Sequence, residues 1–477
     1  MNLPSNVANP VLAVLIKGCG YPSLAQLATA INKHGSQRYG VETKYDHTSV
    51  KRWLQGGRCE HKDVVAEVLA AAWAVPIAPE IIWPGAREGS RPLPAHFHPG
   101  VAARTLEVLA TAVVRDMLTS RDLLADSVDV AIGSAIVEPI TRWLRAEPVR
   151  LAISDRRRPG RVNLAAVEEV ERATRLLVAT DARLGGSVCR EAAIGELKYA
   201  VDLLRTADID ITTGNRLLSA IAKLAGEIGW MSHDAGLEGP AQQYFTLGLQ
   251  AAHESTDQRA PFVAIGILAD MARQMRKINQ PESGLRFIDL GFEYLPEYAR
   301  GGRVEAMLWN LKGRLLSVMG RARRNEVESA VCLSFEMFTQ SNEVDSPPWQ
   351  HEILNYIGIA EFQRHASGAY LALAAQDGGG DRFAAEAEKA ALKALESWSP
   401  TFQREKAYSL IDLAHARFLL DRPDEACDDG EQAIRAAAHI IGSTHTSARL
   451  KELHVISDPF SSERRVKEFQ GLLRAVD

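Results

Sequence analysis

The sequence predicts an all-α protein: a small N-terminal helical domain, a proline-rich linker and a long array of packed helices. Apolar residues recur at helical spacing from residue 101 to the C-terminus, and strand-like alternation is scarce. Six prolines between residues 76 and 100 prevent a helix from continuing there. At 477 residues the chain is too long to fold around one compact core, so two or more domains are expected. We therefore expect a domain at 1–75, a linker at 76–100, a helical connector at 101–161 and the helix array at 162–477.

Composition narrows the class of protein. The chain is 46% hydrophobic and 24% charged with a net charge of −5, as is ordinary for a soluble globular protein. Its five cysteines are scattered and odd in number, which argues against a disulfide framework or a zinc module and suits a reducing cytoplasm. The N-terminus has no secretory signal pattern, and no apolar run approaches the roughly 20 residues needed to cross a bilayer. We expect a cytoplasmic protein with no membrane contact and no cofactor.

The stretch Tyr45–Gly56, YDHTSVKRWLQG, has the pattern of one short helix. Asp46 is a suitable N-cap, and Val50, Trp53 and Leu54 form one apolar stripe. The Gly56-Gly57 pair can end the helix in a left-handed conformation. The opposite face carries cations, hydroxyls and an amide, which are the groups that contact phosphates and base edges in DNA. A solvated amphipathic helix is the alternative interpretation.

The residues around this stretch predict three more short helices. One starts at Asn9-Pro10, one starts at Ser23 with Gln26 in a capping box, and an alanine-rich one runs from about Asp63 to Val75. A polar connector is expected at 32–44. Four short helices with a basic third helix are the order of a helix-turn-helix domain. Between residues 9 and 62, eight Lys or Arg residues face three acids, which gives a local charge of +5 in an acidic chain.

The segments LAQLATAI and YDHTSVKRWLQG resemble helices 2 and 3 of Xre/Cro-type repressor domains. They resemble more closely the N-terminal domains of actinobacterial regulators that join such a domain to tetratricopeptide-like repeats and are similar to peptide-pheromone-responsive regulators. The resemblance implies double-stranded DNA as a partner, with Lys44 and Arg58 on flanking phosphates. It places the following residues in the major groove: Thr48, Ser49, Lys51, Arg52 and Gln55.

From residue 162 the predicted helices come in pairs, which is typical of a helical solenoid. Three places fit the tetratricopeptide pattern of small residues at fixed intervals, and about five degenerate pairs are expected. The fitted places are Ile228-Gly229 with Ala241 and Phe245, Met271-Ala272 with Gly284 and Ile288, and Leu413-Ala414 with Ala426. The stretch Gly229–Phe245 is also similar to the actinobacterial regulators.

The repeat family lines its concave wall with the first helix of each pair, so the resemblance implies a set of ligand-binding positions. The wall would be basic and aromatic, suiting an acidic peptide, a carboxylate terminus or a phosphorylated small molecule. Alternatively, these cations are simply solvated or pair with acids on neighbouring helices. The implied positions are Lys223, Trp230, His233, Arg273, Arg276, Asn310, Arg314, Tyr408, Ile411 and His415.

Motifs of catalysis are missing from the sequence. There is no HExxH motif, no serine elbow and no paired-cysteine motif, and the Gly-rich stretch at 376–381 lacks the Lys and Ser/Thr of a phosphate-binding loop. His96 and His98 have no third metal ligand nearby, and the basic stretch Arg150–Arg161 is best explained as a solvated loop. We therefore expect neither an enzyme nor a metal site.

The favoured hypothesis is a homodimeric DNA-binding transcription regulator whose helical repeat domain senses a peptide, small molecule or partner protein. The alternative is a repeat-based protein-interaction scaffold, or an anti-regulator that does not itself read DNA.

Overall fold

The computed structural model describes residues 8–39, 41–73, 77, 79–83, 102–118, 128–147, 162–341, 348–354, 357–376 and 380–475. Within these ranges the chain is helical and contains no β-strand, which confirms the all-α prediction. No helix in them is long and apolar enough to cross a lipid bilayer. The α-helices are α1 (Pro10–Gly18), α2 (Leu24–Tyr39), α3 (His47–Leu54), α4 (Lys62–Trp73), α5 (Pro79–Ile82), α6 (Ala102–Leu118), α7 (Ser134–Leu144), α8 (Leu164–Leu184), α9 (Gly186–Thr206), α10 (Ile211–Asp234), α11 (Glu238–Glu254), α12 (Ala260–Lys277), α13 (Pro281–Tyr294), α14 (Arg303–Leu316), α15 (Arg324–Gln340), α16 (Pro348–Ile353), α17 (Ile359–Ala374), α18 (Gly380–Ser397), α19 (Gln403–Leu419), α20 (Pro423–Ala437), α21 (Thr444–Ser457) and α22 (Arg464–Ala475).

Helices α1–α5 share one hydrophobic core, which includes Trp53 and Ile82. Asn9 caps α1 through a hydrogen bond from the Leu12 amide to Asn9 Oδ1, and its Nδ2 donates to the Ile82 carbonyl at 2.7 Å. Trp83 packs edge-on against Trp53. The core therefore includes residues of the segment 76–100 that is predicted as a linker. A helix does form among the prolines, because Pro79 occupies the first position of α5, where no amide is needed. Residues 84–100, with His96 and His98, lie outside the described residues.

The sequence predicts a polar connector at 32–44. This prediction is wrong for residues 32–39, because α2 continues to Tyr39. Gly35 falls in the predicted connector and lies inside α2. A Cβ at this position would stand 3.4 Å from Val64 Cγ1 and 3.3 Å from Thr43 Oγ1. This glycine thus allows α4 and the connector to approach α2 closely. Asn32 fixes the start of α3 from the same helix, since its Oδ1 accepts the Tyr45 amide at 2.9 Å.

Helices α6 and α7, predicted as a separate connector, pack into the large core of the helix array. Leu109 and Val113 of α6, with Ile140 and Trp143 of α7, belong to the same buried cluster as α9–α14. The predicted loop Arg150–Arg161 lies outside the described residues.

From residue 162 onward, consecutive helices pack as pairs, and residues 162–475 hold seven pairs where about five were expected. They are α8–α9, α10–α11, α12–α13, α14–α15, α17–α18, α19–α20 and α21–α22. Small residues sit where paired helices come closest. A Cβ on Gly229 would lie 2.5 Å from the Phe245 ring, so only glycine allows α10 and α11 this distance.

The end of the helix array contacts its beginning, so the array closes on itself. The Ile441 amide donates to the Leu184 carbonyl at 2.7 Å, and Ser187 Oγ donates to the Gly442 carbonyl at 2.8 Å. The fully buried Arg404 makes a two-pronged ion pair with Asp181, at 2.9 and 3.1 Å. The ends of the array are thus held together both at the surface and in the interior.

Candidate functional sites

Helix α3 presents a polar face to solvent and an apolar face to the core. Val50, Trp53 and Leu54 are buried, as predicted. Asp46 caps the helix by accepting the Ser49 amide at 2.8 Å, and this backbone hydrogen bond, with a second bond from the Ser49 hydroxyl, lowers the pKa of Asp46. Gly56 has a φ of +87°, the left-handed conformation expected after the helix. Both ends of α3 are therefore fixed by local sequence.

Most residues predicted to contact DNA are exposed on or beside α3. They are Lys44, Thr48, Lys51, Arg52, Gln55 and Arg58. Ser49 differs, because it is half-buried and its hydroxyl is engaged with Asp46. The helix itself carries no acidic residue, and among the described residues no carboxylate pairs with Lys51 or Arg52. The arrangement offers two cations without an ion pair among the described residues, a hydroxyl and an amide along α3 and its C-cap.

A second site is a cavity of about 830 Å³ inside the helix array. Its wall is formed by the first helices of six consecutive pairs, namely α10, α12, α14, α17, α19 and α21. Six of the predicted ligand-binding residues line it: Trp230, His233, Arg273, Arg276, Arg314 and Tyr408. The sequence interpretation missed Lys277, Glu361, Arg364, His365, Glu405 and His445, which also line it. A signal was present at 361, 364, 365 and 368, where charged residues and a glycine share one helical face.

Four predicted positions lie elsewhere. Asn310 is buried between helices, where its Nδ2 donates to the Phe362 carbonyl and its Oδ1 contacts His365 Nδ1 at 3.1 Å. Lys223 pairs with Glu227 beside a smaller cavity, and Ile411 is part of the C-terminal core. His415 does not line the cavity, and burial together with nearby Arg449 lowers the pKa of His415 to about 4.

Two acids at the cavity wall, Glu361 and Asp270, are paired with cations of the same wall. Glu361 Oε1 lies 2.7 Å from Arg364 and 2.9 Å from His365; burial would raise the pKa of Glu361, but these two neighbours hold it well below its usual range. Asp270 Oδ1 accepts from Arg273 Nη1 at 2.7 Å. These carboxylates are therefore not free to neutralise other groups.

Arg276 and Arg314 are different, because among the described residues neither guanidinium has an ion pair or a hydrogen bond to another side chain. Burial and the neighbouring Arg449 and Arg364 lower the pKa of Arg276 to about 10. Burial and the charge of Arg276 lower the pKa of Arg314 well below its usual value. The cavity thus holds two guanidiniums that repel each other and form no ion pair among the described residues, although the charge of Asp412 partly offsets the repulsion for both.

Aromatic rings form the other part of the wall. The Arg404 guanidinium lies 5.9 Å from the centre of the Trp230 ring. The centres of the Trp230 and His233 rings are 5.6 Å apart. Tyr408 is held by a 3.1 Å contact between its hydroxyl and Thr446 Oγ1, and its ring meets His445 edge-on at 5.2 Å. These contacts hold the rings in fixed orientations beside the cations.

The N-terminal domain is similar to a known protein family. A family model described as the SP15 N-terminal domain matches residues 12–82, so the chain is similar to that family over the core formed by α1–α5. No curated protein matches the chain. No solved structure matches it either.

Proposed function

We propose that this protein is a transcription regulator whose N-terminal domain binds operator DNA through a helix-turn-helix formed by α2 and α3. The proposal rests on one observation, the rigid anchoring and the exposed basic face of α3. The helix is fixed at both ends, anchored by the buried Trp53, and exposes Lys51, Arg52 and Gln55 with no acid among them. A helix with such a face can enter the major groove, where cations contact phosphates or guanine and an amide contacts adenine.

The helix array would act as a tetratricopeptide-like effector domain. The support is that the first helix of each of six consecutive pairs contributes to one cavity wall, as in the concave face of repeat proteins. The resemblance seen at Gly229–Phe245 points the same way, since these residues lie where α10 and α11 are in closest contact.

Regulation would follow from a population shift. A ligand that binds one curvature of the array more tightly favours that curvature. In a homodimer this changes the spacing of two DNA-binding domains, whose half-sites must lie about 34–36 Å apart or a multiple of that. A small change of spacing would then weaken several contacts together.

The test is enrichment of fragmented genomic DNA by the purified full-length protein across a salt series. The double variant Lys51→Ala/Arg52→Ala is compared with Lys406→Ala/Lys467→Ala, which removes two exposed lysines from the helix array. We expect discrete enriched sites that the α3 variant loses and the control keeps. Weak binding without preferred sites, equal in all three proteins, would refute DNA recognition and favour the scaffold or anti-regulator alternative.

A further inference from the structure

We infer that the cavity in the helix array is a binding site for a small organic phosphate, whose phosphate group lies between Arg276 and Arg314. This inference deepens the proposed function and rests on it for the effector role, although binding itself can be measured without DNA. Both residues line the cavity, from α12 and α14, and neither has a counter-ion among the described residues.

The ion pairs at the cavity wall leave Arg276 and Arg314 as the positions for a ligand with negative charge. Arg364 pairs with Glu361, Arg273 pairs with Asp270, and Lys277 lies 3.2 Å from Glu238. Asp234 and Glu405, also at this wall, share the Arg404 guanidinium with Asp181 and form no ion pair with Arg276 or Arg314. A phosphate monoester carries about −1.5 to −2 at pH 7, whereas a single carboxylate carries −1. A phosphate therefore matches two guanidiniums better than one carboxylate does.

Hydrogen-bond donors also remain unused at this wall. Arg273 Nη1 donates to Asp270, but its buried Nη2 has no acceptor among the described residues and stands 4.0 Å from Glu361. Guanidinium groups bind phosphate oxygens through two parallel N–H donors. The wall thus combines two guanidiniums that form no ion pair with a buried N–H group that has no acceptor among the described residues.

Space for the Arg314 guanidinium depends on Gly368 of α17. A Cβ at this position would lie 2.7 Å from Arg314 Nε and 2.8 Å from its Cζ. The guanidinium therefore rests directly on the backbone of α17. An alanine here would displace the guanidinium while leaving every charge in place.

The closed shape of the array favours a small ligand over a long peptide. His445, which lines the cavity, is in the first turn of α21, directly after the segment that contacts Leu184 and Ser187. That contact joins the two ends of the array beside the cavity. Trp230 and Tyr408 supply ring surfaces for the organic part of the ligand.

The test is isothermal titration calorimetry of the full-length protein at low ionic strength, with inorganic pyrophosphate as probe and with citrate and hexaglutamate for comparison. We expect one saturable pyrophosphate site that is at least tenfold weaker in Arg276→Met and in Arg314→Met. The control Arg474→Met removes the same charge from the exposed surface of α22 and should bind as wild type does. Gly368→Ala should also weaken binding, and it keeps the proposal testable if a methionine variant fails to fold.

Three results would overturn the inference. The first is the absence of saturable pyrophosphate binding, and the second is an equal loss of pyrophosphate affinity in Arg474→Met. The third is tighter binding of citrate or hexaglutamate than of pyrophosphate. Pyrophosphate binding by a protein that enriches no genomic sites would refute only the regulator proposal. Site-specific DNA binding without pyrophosphate binding would refute only the phosphate site.

Discussion

Replacing Arg276 by methionine should stabilise the ligand-free protein, although a buried arginine is removed. Arg276 forms no ion pair among the described residues, and burial, followed by the charges of Arg449 and Arg364, lowers its pKa from 12.5 to about 10. At about 1.4 kcal/mol per tenfold change in proton affinity, this corresponds to on the order of 3 kcal/mol of unfavourable interaction with the charged form. Methionine keeps the apolar stem and removes the charge.

Arg273, one turn earlier on α12, is the matched control because its guanidinium is paired with Asp270. Arg273→Met leaves the Asp270 carboxylate without its partner, and we expect a loss on the order of 3 kcal/mol. The assay is urea unfolding of both variants and wild type in phosphate-free buffer at pH 7.5, followed by circular dichroism. Relative to wild type, we expect a higher free energy of unfolding for Arg276→Met and a lower one for Arg273→Met. If both were destabilised equally, the claim that Arg276 lacks a counter-ion would be refuted.

Three further predictions concern other parts of the chain. Lys51→Ala and Arg52→Ala should each reduce the slope of log K against log salt by about 1 in a DNA-binding titration; an unchanged slope would show that neither contacts phosphate. Arg404→Met leaves Asp181 buried without its ion pair, so we expect a loss of about 3–5 kcal/mol in urea unfolding and faster tryptic cleavage, and wild-type resistance would contradict this. Burial raises the pKa of Glu254 to about 7, so this residue lowers the stability of the folded protein as pH rises from 4.5 through 7. Glu254→Gln should therefore be more stable than wild type at pH 8 and no more stable at pH 4.5 in thermal unfolding. A stability difference that does not depend on pH would be inconsistent with this titration.

Local features of the N-terminal domain could be predicted from the sequence. The cap at Asp46, the apolar stripe of α3 and the left-handed Gly56 depend only on neighbouring residues, and all three are present. The end of α2 could not be predicted in this way. Gly35 has the composition signal of a helix terminus, but its role is to admit Val64 from α4, a contact between residues far apart in sequence.

The cavity shows the same division between local and distant information. Arg273 and Tyr408 could be predicted as wall residues because each lies on a helix that fits the repeat pattern. Arg364 and His445 lie on helices without such a pattern and were missed, although both line the same wall. Asn310 was assigned to the wall from spacing alone, whereas its amide satisfies buried polar groups between helices. The pairing of Arg404 with Asp181 spans 223 positions, and no local pattern predicts it.

The contact between the two ends of the helix array limits how this protein can evolve. An open solenoid gains or loses repeat units with little consequence, because each unit touches only its neighbours. Here Leu184 must meet Ile441, and Arg404 must meet Asp181, after a fixed number of intervening helix pairs. Insertion or deletion of one pair would move these partners apart and open the cavity wall. Related chains that keep the cavity should therefore keep the number of helix pairs, and differ in length mainly within the loops.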